Sequence, residues 1–363
     1  MAFRACFARP PSAMATGLHA TGGWVCAGEC LECPLAAVRG RAVPGTEGPM
    51  MRRIPFLRQE ERQGEVRVEL ARPGDLPAIR RLLHSSRFSY SGLGGAIREA
   101  VRDDLTLVAW QGDALAGFAI VHTQGPQAAW LHAFGLAEDV SPTAIGLRLL
   151  EALVEEAAGH GIVCLAYMDE HALSWLRRLL EAGGFVRETS VVAYETSLLR
   201  PPAFGNHEAL VRAATQADIP AVAACDQRAF GALWGYGERV FWSIFSGVAC
   251  FLIAEVEGTL AGYLLATRHG EAHAHIVRLA VEPAWQGRQV AVRLLAESFA
   301  RFREMGVRTV SLNTQQENLR SQRLYRWFGF RPTGDCIGVW VRRLRPGCMP
   351  QEVASPAASA PSK

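Results

Sequence analysis

The chain has 363 residues, 49% hydrophobic and 20% charged, with 38 basic against 35 acidic side chains and a formal net charge of +3. This composition excludes a disordered or fibrous chain, the near balance of charge excludes a broad nucleic-acid surface, and at roughly 100–200 residues per domain the length suits two domains. The longest apolar runs, such as Val248–Ala254, fall far short of the roughly 18–20 residues that cross a bilayer, so no membrane association is expected. Nine cysteines are too sparse for a disulfide scaffold, which makes a reducing cytoplasm the expected setting.

Residues 1–64 show no sustained helical or strand periodicity and read as an unfolded N-terminal extension. Within it, Cys26, Cys30 and Cys33 have the spacing of the iron–sulfur motif of radical-SAM enzymes, and three such thiolates also suit zinc. Neither reading has support elsewhere: no run of alternating strands and helices follows directly, and zinc wants a fourth ligand. No metal site is therefore expected. The first acidic residue is Glu29, and a start codon placed too early accounts for residues 1–28 better than a transit peptide does.

From residue 65 an internal repeat organises the chain. Val68–Ile79 (VELARPGDLPAI) matches Val211–Val222 (VRAATQADIPAV), each a short strand, an Asp before a helix, and Pro early in that helix. Leu107–Phe118 matches Ile253–Tyr263 as two strands joined by a Gly-containing hairpin. Gly146–Leu150 and Gly184-Phe185 recur 145 residues later as Ala291–Leu295 and Gly329-Phe330. Matches in constant order mean a duplicated domain. Each copy continues with a long amphipathic helix (Ile145–His160; Val290–Met305), a strand (Val163–Tyr167; Thr309–Asn313), a helix and a last strand. The expected architecture is α/β, two tandem domains at 65–197 and 208–345, each a mixed, mostly antiparallel central sheet flanked by helices. Residues 198–207 read as a linker and 346–363, rich in Pro, Ala and Ser, as a disordered tail.

In the second copy the strand His275–Val281 runs through a turn straight into a helix. Exposed N–H groups at such a helix start, aided by its dipole, suit a pyrophosphate; Gly287 lets the backbone approach closely and Arg288 adds charge. Taken with Leu279-Ala280-Val281-x-Pro283, Gln286-Gly287-Arg288-Gln289-Val290-Ala291, and Asn318-x-x-Ser321-x-x-Leu324-Tyr325-x-x-x-Gly329-Phe330, the stretch from about Val211 to Arg345 resembles the GNAT superfamily of N-acetyltransferases. The loop pattern of that family is Gln/Arg-x-x-Gly-x-Gly/Ala; Gln286 and Ala291 fit it, while the fourth position is Gln289 instead of Gly. The resemblance implies that the loop amides hold the pyrophosphate of acetyl-coenzyme A, that the main chain from Leu279 to Val281 pairs with its pantetheine arm where two central strands splay apart, and that Asn318 and Ser321 line the cofactor side.

Tyr325 falls on the general-acid position of the family: a phenol beside the sulfur can protonate the thiolate that an attacking amine expels. His275 stands where many members carry a base, and an imidazole near pKa 6.5 suits that task, with His273 on the same strand face; both also read as edge histidines. Phe230, Trp234, Tyr236, Phe241, Trp242 and Phe245 read either as acceptor pocket or as helix core. In the first copy the loop equivalent is Ser141–Gly146, with Pro142 removing a donor, and the equivalents of Tyr325 and Asn318 are Leu180 and Leu173. That copy reads as degenerate, and the whole resembles tandem GNAT enzymes of the mycothiol synthase type, in which one half does the chemistry. The expectation is an acetyl-CoA-dependent N-acetyltransferase acting on a primary amine of a small molecule or peptide, without metal; the alternative is a non-catalytic acyl-CoA-binding or regulatory module.

Overall fold

Apolar residues at a spacing of two, broken by Gly-containing turns, alternate with amphipathic stretches along the computed structural model, which describes residues 65–345. The Cys26–Cys33 motif and both chain ends lie outside the described residues. The first half consists of β1 (Val66–Leu70), α1 (Leu76–Ser85), β2 (Ser89–Ser91), α2 (Ile97–Asp103), β3 (Leu105–Gln111), β4 (Ala114–Thr123), β5 (Ala128–Leu136), α3 (Pro142–Gly159), β6 (Cys164–Met168), α4 (Ser174–Ala182) and β7 (Val186–Thr196). The second half repeats the scheme with β8 (Leu210–Ala213), α5 (Ile219–Trp234), α6 (Glu238–Ile244), β9 (Cys250–Val256), β10 (Thr259–His269), β11 (His273–Val281), α7 (Val290–Glu304), β12 (Thr309–Gln315), α8 (Leu319–Trp327) and β13 (Arg331–Arg343).

The repeat extends to detail. Pro77 and Pro220 occupy the first turns of α1 and α5, where a missing N–H costs nothing. The aspartates before these helices point backwards: Asp75 accepts from the Arg72 N–H and Asp218 from the Thr215 N–H, both at 2.7 Å. α3 begins three residues before its expected start, because Ser141 caps it by accepting from the Ala144 N–H and Pro142 takes the first helical position.

All strands join one sheet in the order β1-β3-β4-β5-β6-β13-β7-β12-β11-β10-β9-β8, with β2 paired to β5 alone. The order carries a crossover that the repeat does not announce. β13, the last strand, pairs with β6 of the first half (Val339 with Met168, Val341 with Ala166), whereas β7 pairs with β12 of the second (Leu312 with Tyr194). The two exchanged strands also pair with each other. The cores lie between the sheet and its helices, with Leu149, Leu150 and Phe118 fully buried in the first half and Leu294, Leu295 and Phe299 in the second. Cys164, Cys225 and Cys250 are buried as small apolar residues would be; Cys336 is exposed. No described helix is long and apolar enough to cross a membrane.

Gly262, in β10 where its pairing with β9 shifts register, lies so close to β11 that a Cβ there would stand 2.5 Å from the Ala280 carbonyl oxygen. Because the obstacle is backbone in a paired strand, it cannot swing aside. Gly262→Ala is expected to destabilise the protein by about 1–3 kcal/mol, lowering the thermal unfolding midpoint by several degrees.

Candidate active site

β11 and β12 run parallel and pair from His273–Thr309 to Ile276–Leu312, and no further. On its other side β11 stays paired with β10 as far as Val281, with a register shift beside Val277. From Val277 onward the β12-facing edge of β11 therefore has no strand against it, and its N–H and C=O groups open into a wedge. The first half makes the same wedge after Ala128–Trp130, but there its own chain enters it. Ser89, Tyr90 and Ser91 pair with Gly135, Phe134 and Ala133, and the seal continues through Gly92 N–H to His132 O (2.8 Å) and Leu136 N–H to Phe88 O (2.9 Å). Tyr90 packs edge-on against Tyr167, ring centroids 5.3 Å apart.

The open wedge leads into a cleft lined by both halves. It brings together His275, Leu279, Asn318, Ser321 and Tyr325 of the expected site, and it does not reach Ala280, Val281 or the Gln286–Ala291 loop. Gln286 ties that loop to α8, accepting from Arg320 Nη1 at 2.8 Å. Asn318 caps α8, its Oδ1 accepting from the Ser321 N–H at 3.1 Å, so its position is fixed by the helix start as well as by the cleft. Tyr325 sits on α8, 7% exposed; burial pushes its phenol up to about 12, with a bond to Ser321 working against this, so it holds its proton at neutral pH.

His275 differs from expectation. It is 2% exposed, and its Nδ1 shares the Ser311 hydroxyl (2.8 Å) with Nε2 of His273 (2.9 Å). Burial, then the neighbouring His269 and His273, push it down to about 3, far below the value near 6.5 assumed from sequence. It is a neutral hydrogen-bonding group at the cleft wall and a much weaker base than a free imidazole. His132, reaching the cleft from β5, is likewise pushed down to about 4, by burial first and His122 second.

The turn before α7 has the geometry an anion needs. Gln289 adopts a left-handed conformation (φ 59°, ψ 20°) that glycine takes freely. The first N–H groups of α7 have no intrahelical acceptor, and no side chain caps them.

The aromatic stretch divides. Phe230, Trp234 and Tyr236 line the cleft, Phe241 is core against Phe251 and Tyr263, and Trp242 is exposed. Sequence reasoning missed Arg278, 8% exposed, whose guanidinium lies 4.1 Å from the Phe230 ring centre and 3.6 Å from that of Tyr236. Its partner at 3.1 Å is Asp226, fully buried on α5, which also accepts from the Tyr263 hydroxyl. Burial pushes Asp226 up, while Arg278 and these bonds pull it back. Two charged residues inside apolar runs were the available signal. Trp130, His132 and Glu170 of the first half also line the cleft, and nothing local in the sequence marks them.

Residues 221–330 match the model of the acetyltransferase (GNAT) family. No curated protein matches the chain. Among solved structures, a GCN5-related N-acetyltransferase from Kribbella flavida is 14% identical, with 77% of this chain and 71% of that one covered, at a TM-score of 0.56. One from Anabaena variabilis is 11% identical over 77% and 73% of the two chains, also at 0.56. A tandem GNAT protein from the clavulanic acid biosynthesis pathway is 17% identical over 78% of this chain and 99% of its own, at 0.46. The α/β fold, with its mixed sheet flanked by helices, is that of GNAT proteins.

Two measurements probe this geometry. His132 and His275, with folded pKa values near 4 and 3, bind fewer protons folded than unfolded between those values and about 6.5, so stability rises with pH there and is lost as pH falls from 6.5. Each group should contribute a slope of about 1.4 kcal/mol per pH unit in that window, visible as a fall in melting temperature that begins above the carboxylate range and is shallower in His275→Gln. Gln289→Gly should raise the melting temperature by about 1–3 °C, since relief of left-handed strain exceeds the entropy cost of glycine.

Proposed function

We propose that the protein is an acetyl-CoA-dependent N-acetyltransferase whose chemistry lies in the second half, with a primary amine as acceptor. The observation that carries this reading is the contrast between two equivalent wedges. The β5 edge is sealed by β2, whereas the β11 edge is open into the cleft, and the chain beyond β11 turns into α7, whose first amides carry no side-chain cap. A backbone edge with no strand partner is the feature an extended pantetheine arm pairs with. The first half, with Pro142 at its loop and Leu180 in place of the phenol, then serves as a degenerate partner that supplies one wall of the acceptor cleft. This arrangement resembles that of mycothiol synthase.

Bound acetyl-CoA supplies an activated thioester, whose carbonyl carbon the neutral amine attacks and whose sulfur leaves with the electrons of the broken C–S bond. Main-chain N–H groups of the open β11 edge stabilise the charge that develops on the carbonyl oxygen. Tyr325 gives its proton to the departing sulfur and regains one from the acylated nitrogen through water, so the proton count closes. His275, neutral and held by Ser311, orients the incoming amine by accepting a hydrogen bond; its low basicity means that the amine must enter unprotonated. Aromatic rings from both halves favour an acceptor with an apolar or ring-bearing body.

Calorimetric titration of acetyl-CoA into the full chain should give one site, and release of free thiol with a panel of amines should reveal turnover. Tyr325→Phe is expected to lower turnover about 100-fold or more while leaving acetyl-CoA affinity within a few-fold, as loss of a general acid does. Binding without turnover for any amine would favour a non-catalytic acyl-CoA module; no binding would sink both readings.

A further inference from the structure

The segment joining the two repeats reaches back onto the turn before α7. Gly205, at φ +86°, lies so close to that helix that a Cβ there would stand 2.4 Å from the Arg293 nitrogen. Beside it, Asn206 Nδ2 donates to the Arg288 carbonyl at 2.9 Å, and the Asn206 backbone N–H donates to the Gln289 carbonyl at 3.3 Å. Asn206 Oδ1 is taken by the N–H groups of Glu208 (2.8 Å) and Ala209 (3.1 Å), so the side chain is locked into its own turn. The Arg293 guanidinium lies over the Phe204 ring, 4.2 Å from its centre, and packs the same contact from outside.

In a trans peptide the C=O and the following N–H point in opposite directions. Holding the Arg288 carbonyl against the linker therefore turns the Gln289 N–H away from it, and holding the Gln289 carbonyl does the same for the Val290 N–H. The Gln289 carbonyl is also held by the Arg293 N–H of α7 at 3.1 Å, so the second plane is fixed by the helix as well, whereas the Arg288–Gln289 plane, before a residue that adopts the left-handed conformation without the freedom of glycine, takes its restraint from the Asn206 side chain.

The geometry points to Asn206 as a positioning residue of the coenzyme site: from the linker its side chain fixes the peptide plane that presents the Gln289 N–H group to the pyrophosphate, replacing the glycine that the family pattern carries at position 289, while its backbone N–H joins that of Arg293 on the next plane. The assignment rests on the acyl-CoA reading above. It makes the linker part of the binding site without any contact to the ligand.

The test uses four full-length proteins: wild type, Asn206→Ala, Gln289→Gly and the double variant. By acetyl-CoA titration, Asn206→Ala should bind about tenfold more weakly, the loss expected for one hydrogen-bond restraint, and the double variant should return to within about twofold of wild type. Unchanged affinity in Asn206→Ala overturns the proposal. An equal loss in the double variant also overturns it, because Asn206 would then act through the course of the linker and not through the peptide plane. Thermal unfolding of the same four proteins closes the cycle without coenzyme: Asn206→Ala should lower the melting temperature more in the wild-type background than beside Gln289→Gly, and additive shifts overturn the clamp. Coupled shifts with no acetyl-CoA binding to wild type would sink the acyl-CoA reading, and the positioning role with it.

Discussion

Parallel pairing between β11 and β12 stops at Ile276–Leu312, and the remainder of the molecule is arranged around what that stop leaves exposed. The cause lies in β11 itself. Ala266 pairs with Ile276 while Leu265 pairs with Arg278, so Val277 is an extra residue that bends the strand away from β12 and turns Arg278 toward α5. The same irregularity lies 145 residues earlier, between Ile120 and Val121 opposite β5. Bent strands leave main-chain donors and acceptors without partners, and a folded protein must satisfy them somehow. The two halves give different answers to one geometric problem: the first spends three residues of its own chain, and the second leaves the edge open to the cleft.

Much of the fold was legible because the duplication forces the same solution twice. The hairpin signatures, the early prolines and the Gly-Phe pair after α4 and α8 are local signals, and each names an element without tertiary help. What the local pattern does not carry is partner choice. β7 and β13 read as interchangeable last strands, and nothing in VRETSVVAYET or RPTGDCIGVWVRR says that each lies across the midline. β2 escaped notice because three residues with two serines have no periodicity to detect. Within the candidate site, Tyr325 and Asn318 stand out through a motif resemblance carried by one helix, whereas the basicity of His275 depends on burial by other elements, which its ordinary value does not reflect.

The Asp226–Arg278 pair shows how one wall of the cleft is held in shape. Removing either partner alone would strand a buried charge, a far larger penalty than the net value of the pair. The stacking of Phe230 and Tyr236 on the guanidinium then fixes two cleft-lining rings relative to β11. A polar cluster under an aromatic wall specifies one packing arrangement, where an all-apolar cluster of similar volume would tolerate several.

The exchange of β7 and β13 makes the protein a strand-swapped dimer fused into one chain. Residues 164–168 must wait for residues 331–343 before their sheet edge is closed, so the longest-range pairing involves the last of the described strands to be synthesised. Until then β6 presents an unpaired edge, which is a hazard during synthesis. It also constrains ancestry: once the strands had crossed, neither copy could be lost, swapped for a foreign module or released as an independent unit. The first half is thus tied to the second by topology, each closing its sheet with a strand of the other.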